Sequence, residues 1–260
     1  MRAFARRDWR ITRSYRLPFI LDGFYGVLNL AVYFFISRTF HGAGLSHLEG
    51  APSYFAFAAV GIVIATVVDT ASDAIAYRIR DEQLSGTLEL LLAQPLSVAQ
   101  LCFGTILFSS FFAFARACLY LTVAAAWMGL DLSHTSWIGV PLMMLLSGLA
   151  LAAFGVLAAA PVLVIKRGEV LASMTLFAMG ILSGSVFPVG ALPDWLEPIS
   201  RIVPLRYALD GTRHALFGSG GWTGDALFLA AFGLVATPVA VWILGRALAI
   251  SKRMGTIAQY

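Results

Sequence analysis

Asp69 and Asp73 stand one helical turn apart inside an apolar run and form the one carboxylate pair placed for shared acid–base work. Such a pair needs a metal ligand or a further acid facing the same cavity before it can hydrolyse a substrate. The sequence supplies neither: His41, His47, His134 and His214 are scattered in loops, with no HExxH motif and no Cys/His cluster. Cys102 and Cys118 lie in one apolar run without CxxC spacing and read as small buried hydrophobes. Arg116 is the stranger residue, a lone cation deep in an apolar run. An ionisable group at membrane depth marks a functional site by default. A metal site is unsupported, and an intramembrane enzyme has only the Asp69/Asp73 pair in its favour.

The elements that must hold these residues are membrane helices. Of the 260 residues, 59% are hydrophobic and 12% are charged, where soluble domains carry about 25% charge. The mean hydropathy is +0.82. Six apolar runs read as spans: 17–36, 54–76, 101–128, 137–165, 170–187 and 226–245. The expected fold is all-α, a single 1–260 transmembrane domain. Only Lys166–Glu169 separates the fourth run from the fifth, so those two form a tight helical hairpin.

Counting Lys and Arg sets the orientation. With the N-terminus inside, one side holds Arg2, Arg6, Arg7, Arg10, Arg13, Arg16, Arg78, Arg80, Lys166, Arg167, Arg246, Lys252 and Arg253. The other side holds only Arg38, Arg201, Arg206 and Arg213. The positive-inside rule puts both termini in the cytoplasm, and the location expected is the inner (plasma) membrane. Residues 1–16 place Met1, Phe4, Ala5, Ile11 and Tyr15 on one half of a helical wheel and the arginines on the other. That is an interfacial amphipathic helix facing anionic head groups. Membrane lipid is an expected partner, and nucleic acid is not.

The cytoplasmic segment 82–100, EQLSGTLELLLAQPLSVAQ, is not a plain connector. Leu84, Leu88, Leu91 and Leu92 recur at the spacing of one helix face, with Glu82, Ser85 and Glu89 largely off it. Gly86 weakens the helix start, Ser85 or Thr87 can cap it, and Pro95 stops it. A short rigid helix tied to two spans is either a surface connector or a lever that a soluble partner can push.

The long segment from Pro188 to Gly224 on the opposite side also carries a pattern. Leu192, Trp195, Leu196, Ile199, Ile202 and Val203 repeat at helical spacing. After Pro204 come Leu205, Ala208, Leu209, Thr212 and Leu216, with Arg206, Asp210, Arg213 and His214 on the polar side. Two short helices broken by proline are expected. Gly180 and Gly184 form a GxxxG in the fifth run, which packs helices closely, either internally or at a subunit interface.

RDEQLSGTLELLLAQPLS resembles the conserved cytoplasmic loop of the ABC-2-type transporter permease family, an acid followed by GTLE, a leucine pair and a proline. ILSGSVFPVGALPDWLEPISRIVPLRYALDGTRHAL, residues 181–216, is similar to that family's late signature. The resemblance covers nearly the whole chain and implies the permease half of an ABC exporter. It implies a coupling helix at 82–95, with Glu82, Gly86, Thr87, Glu89, Leu90, Leu91 and Pro95 against an ATP-binding subunit. It also implies re-entrant helices at 188–217 as an outer gate, at Pro188, Pro193, Trp195, Pro204 and Tyr207, and a permease–permease seam near Gly180 and Gly184. The sequence has no GxxxxGKS/T phosphate loop. ATP and Mg are therefore expected on separate cytoplasmic ATP-binding subunits, two copies, with no cofactor on this chain and a second permease chain, identical or homologous, beside it.

The pathway is expected near Phe24, Tyr25, Tyr33, Phe57 and Arg116. Arg116 either snorkels outward or bonds a backbone carbonyl, or it lines a route for an anionic or amphiphilic substrate. Residue counts place Asp22 and Asp69 near the inner surface and Arg116 past the midplane, so depth argues against either as its direct partner. The expected substrate is hydrophobic or amphiphilic, a drug or a lipid-like molecule. A polysaccharide or glycoconjugate exporter, or an ATP-independent carrier, is the alternative. The carrier would predict an inverted repeat, and no internal similarity of that kind is visible.

Overall fold

The computed structural model describes residues 16–39, 48–84, 98–165 and 168–254, and every regular element among them is helical. In chain order they are α1 (Arg16–Thr39), α2 (Tyr54–Leu84), α3 (Val98–Met128), α4 (Gly139–Ile165) and α5 (Gly168–Leu182). A 3-10 turn at Val189–Ala191, α6 (Glu197–Ser200), α7 (Pro204–Phe217) and α8 (Trp222–Met254) complete the chain. The segment 1–15 and the coupling residues Gly86, Thr87, Glu89, Leu90, Leu91 and Pro95 lie outside the described residues.

Among the described helices α1, α2, α3, α4 and α8 are long and apolar enough to cross a bilayer. Many large apolar side chains of α1, α3 and α8, including Leu28, Val32 and Phe35 of α1, Phe111 of α3 and Leu234 and Trp242 of α8, point out of the bundle. An outward apolar surface of this extent fits lipid and would be a liability in water. The protein is a multi-pass membrane protein.

Two of the expected spans differ in length from the helices observed. α2 does not stop near Ala76. It continues to Leu84, about 12 Å further, and carries Glu82 in its last turn. The fifth run does not reach Phe187. α5 has 15 residues, roughly 22 Å against a hydrocarbon core of about 30 Å. Its end is a Schellman turn: the Ser185 N–H donates to the Gly180 carbonyl at 3.2 Å and the Gly184 N–H to the Ile181 carbonyl at 3.5 Å, with Gly184 at φ 76°. Gly180 and Gly184 therefore belong to a helix terminus and do not form a GxxxG stripe along one helix.

α2 and α4 form the inside of the bundle. α4 packs on α8 and α2 above all, and also on α7, α5 and α3, while α1 lies against α2 and α3. Small residues permit the approach of α2 and α4. A Cβ on Gly155 would collide with the Ser72 backbone, and the Ser72 hydroxyl donates to the Leu151 carbonyl at 3.3 Å.

Residues 188–217 close one end of the bundle, called the cap end below. α7 begins on Pro204, which suits a first turn, and ends on Gly218 at φ 65°. Leu205, Ala208, Leu209, Thr212 and Leu216 are all buried, as their spacing predicts. The preceding half is not a matching helix. It is a 3-10 turn followed by the single turn α6, and Trp195, Ile199 and Ile202 are exposed. Pro193 and Pro198 remove two of the N–H groups that a longer helix there would use. The loop before α4 is sewn to the end of α7, with the Ser136 N–H donating to the Ala215 carbonyl at 2.7 Å and the Thr135 hydroxyl to the Leu216 carbonyl at 3.0 Å.

Candidate functional site

Two cavities flank the middle of α2. The larger, about 650 Å³, lies between α1, α2 and α3 and is lined by Asp22, Tyr25, Asn29, Tyr33, Thr66, Thr70, Arg116 and Tyr120 among others. The smaller, about 400 Å³, lies between α2, α5 and α7, and its wall includes Val68, Leu176, Phe177, Ile181, Leu205 and Leu209. Gly61, Ala65, Asp69, Ser185 and Val186 line both. Hydroxyls, an amide and charges on one side of this shared wall thus face aliphatic and aromatic carbon on the other. Gly61 makes the junction possible, because a Cβ there would strike the Ser185 carbonyl.

Arg116 is held from two helices. Its guanidinium pairs with the Asp22 carboxylate of α1 and donates to the Thr70 hydroxyl of α2 at 2.7 Å. One turn further along α3, the Tyr120 hydroxyl donates to the Asp22 carbonyl at 3.2 Å. Asp22 is the partner that residue counting argued against. The count fails because the helices are staggered. Arg116 lies roughly 27 Å along α3 from Val98 and Thr70 roughly 21 Å along α2 from Leu84, yet Asp22 is only about 9 Å from the start of α1. The α2 and α3 ends extend well past the level where α1 begins. Pairing and a hydroxyl bond are what make a guanidinium tolerable at this depth, so Arg116 neither snorkels nor relies on a backbone carbonyl.

A second charged cluster sits at the cap end. Arg213 of α7 is fully buried. Its Nη1 donates to Glu49 at 2.5 Å and to Asp210 at 3.3 Å, its Nη2 donates to the Gly184 carbonyl at 2.7 Å, and its guanidinium stacks 3.7 Å from the centre of the Phe57 ring. Glu49 also accepts the Val189 N–H at 3.0 Å and sits at φ 50°, the one non-glycine at positive φ among the described residues. Burial, and after it the Asp210 carboxylate, push the Glu49 carboxyl up to about 7, against the opposing pull of Arg213 and the Val189 N–H. On the outer side of the cluster Arg206 meets Asp210 at 3.4 Å and donates to the Ser200 hydroxyl at 3.0 Å.

The expected pathway residues separate on this geometry. Tyr25, Tyr33 and Arg116 line the polar cavity. Phe24 projects from the exposed face of α1 and Phe57 is buried beneath Arg213, away from the walls of these two cavities. Of the expected cap residues, Pro188 and Pro204 are buried, while Pro193 and Trp195 are not. Tyr207 stacks on Phe228 of α8 with ring centres 3.8 Å apart and donates to the Arg201 carbonyl at 2.9 Å. Arg213, expected on the polar side of its helix, is instead its most deeply buried charge. His214 pairs outside α7, with Asp225 at 3.2 Å. Glu49, Thr70 and Tyr120 are not singled out by the sequence. Glu49 sits in a turn-forming Glu-Gly-Ala-Pro stretch, and the only hint is an arginine-rich α7 with too few acids of its own.

The described residues form a membrane-embedded helical bundle with a capped end and two cavities beside α2. The chain belongs to the ABC-2 type transporter family, whose model matches residues 1–217. Nodulation protein J of Rhizobium meliloti (strain 1021) is 27% identical over 188 residues, 68% of this chain and 69% of that protein. Nodulation protein J of Neorhizobium galegae is 28% identical over 190 residues, 68% of each chain. That of Sinorhizobium fredii (strain NBRC 101917 / NGR234) is 28% identical over 198 residues, 75% of this chain and 73% of that protein.

Proposed function

We propose that the chain is the permease subunit of an ATP-driven exporter that moves an amphiphilic, lipid-like substrate out of the cytoplasm or the inner leaflet. The observation that carries this reading is the pair of cavities on one wall. An amphiphile can place its head among Tyr25, Asn29, Tyr33, Thr66 and Thr70 and its tail against Val68, Leu176, Phe177 and Ile181. The hydroxyl and amide lining favours a hydroxylated head group, which keeps a glycoconjugate as the second reading.

In this reading two permease chains, identical or homologous, work with two cytoplasmic ATP-binding subunits, which hold ATP and Mg. Both termini face the cytoplasm, in an inner membrane, and the cap end faces out. Glu82, Gly86, Thr87, Glu89, Leu90, Leu91 and Pro95 dock the ATPase. The helices on either side of that segment, α2 and α3, carry Thr70 and Arg116 of the cavity wall. A push on the segment therefore shifts the wall, and the nucleotide state biases a two-state element.

The test is ATPase stimulation in proteoliposomes that hold the permease with its co-purified ATPase. Amphiphiles with hydroxylated heads should stimulate, and Asn29→Ala with Tyr33→Ala should raise the concentration needed. Stimulation by tail-less sugars alone would replace the amphiphile with a polymer substrate. Transport without nucleotide would sink the ATP-driven reading.

A further inference from the structure

Glu49 and Asp210 approach the same guanidinium nitrogen of Arg213, at 2.5 and 3.3 Å. Arg213 also holds Gly184 at the end of α5 and lies on Phe57 of α2, while Glu49 holds Val189 at the start of the cap. This one cluster therefore ties the α1–α2 loop, α2, the α5 terminus and both ends of the cap. Its contact on α2, Phe57, is next to Ala58 and one turn from Gly61, both of which line the polar cavity. We propose that Glu49, Asp210 and Arg213 form a proton-locked fastening on the outer gate, closed while Glu49 carries a proton and released when that proton leaves to the outside. The inference rests on the orientation and transport reading given above.

The charge balance leads there. With Glu49 protonated, Arg213 and the two carboxyl groups sum to zero, a state that burial tolerates. Without the proton the same three groups carry a net negative charge. Arg206 offsets this only in part, since it meets the far oxygen of Asp210 at 3.4 Å from a partly exposed position. The adjacent His214 meets Asp225 of α8 at 3.2 Å, and Asp225 brings a further acid near Asp210. From the other elements packed on the cluster, α2 presents the Phe57 ring and the cap presents the Val189 N–H. The upward displacement of the Glu49 carboxyl, caused first by burial and then by Asp210, agrees in sign. A group that binds its proton more tightly when buried than when exposed makes acid favour the buried, closed state. The left-handed backbone at Glu49 is strain that opening can release.

The experiment reads the gate directly. Ala58→Cys is placed in a chain carrying Cys102→Ala and Cys118→Ser, and the full transporter is studied in sealed, right-side-out vesicles. A membrane-impermeant maleimide is added outside, and each rate is divided by that of the same chain with Glu49→Ala at the same pH, which cancels the pH dependence of the thiol. With the carboxyl at about 7 in the closed state and at the ordinary 4.5 when exposed, the ratio should rise about tenfold between pH 6 and pH 8. Glu49→Gln, which keeps a donor toward Asp210, should hold the low ratio at both pH values. Asp210→Asn should move the rise to lower pH. A parental ratio that does not change with pH, or a Glu49→Gln chain labelled as fast as Glu49→Ala, overturns the proposal. ATP-driven export is measured in the same vesicles. Export lost with the labelling pattern intact overturns the transport reading alone, and export intact with flat labelling overturns the fastening alone. Labelling of the introduced thiol only from the inner side overturns the orientation.

Discussion

The guanidinium of Arg116 and the hydroxyl of Thr70 meet at 2.7 Å, and they stand on the two helices that flank residues 85–97. One hydrogen bond therefore spans α2 and α3 at the level of the polar cavity, well above the segment that joins them. It ties the two helices together at that level. Thr70→Val keeps the shape and removes the acceptor. It should lower stability by about 1.5–3 kcal/mol, since the bond involves a charged donor, and weaken the response of the ATPase to substrate. Thr70→Ser should restore both. Thermal unfolding in detergent, read beside ATPase stimulation, checks this, and an unchanged melting point in Thr70→Val would mean that the bond contributes nothing.

The Arg116–Asp22 pair is asymmetric. The arginine side chain is 18% exposed and the aspartate 58%. Removing the aspartate leaves the less exposed cation without its counter-ion, whereas removing the arginine leaves the more exposed carboxylate without its own. Asp22→Asn should therefore depress the melting point more than Arg116→Met does. The reverse order would show that Arg116 acts mainly through packing.

Gly155 is a contact in its own right. A methyl group there meets the Ser72 backbone, which cannot step aside as a side chain can. Gly155→Val should separate α2 from α4 and abolish the folded, detergent-stable protein. Gly224 at the start of α8 has nothing within reach of an added Cβ, so Gly224→Ala should be neutral or stabilising by up to about 1 kcal/mol. Size-exclusion profiles of the two variants separate the outcomes.

Glu49 also sets a pH dependence of stability. Its carboxyl sits at about 7 in the fold against 4.5 as an isolated group. The folded state therefore binds the proton more tightly than the unfolded state does. Stability from this group is present below 4.5 and is lost as pH rises through about 7. The melting point of the purified chain should fall between pH 5 and pH 8, and the fall should be smaller in Glu49→Gln. A steeper fall in that variant would place the titration elsewhere.

Much of the architecture is legible because it rests on local patterns. The apolar runs mark α1 to α4 and α8, and the spacing of Leu205, Ala208, Leu209, Thr212 and Leu216 marks the buried face of α7. What escapes depends on distance along the bundle. Asp22 and Arg116 are 94 residues apart, and their pairing requires a stagger of helices that no single run encodes. Glu49 and Arg213 are 164 residues apart, and nothing near Glu49 signals a buried role. The α5 terminus is hidden because apolar residues continue through Val186 and Phe187, while the turn is decided by the left-handed backbone at Gly184. The α6 region shows the opposite error. Its apolar spacing is helical, but prolines remove the backbone donors and leave Trp195 and Ile202 exposed.

The short α5 has a consequence for the lipid around it. Its helix falls about 8 Å short of the hydrocarbon thickness, so the neighbouring bilayer must thin or tilt to meet its end. The same helix supplies Leu176, Phe177 and Ile181 to the apolar cavity. The apolar cavity is thus walled on one side by a helix too short to match the hydrocarbon core, so the depth of the bilayer beside it bears on the wall of that cavity.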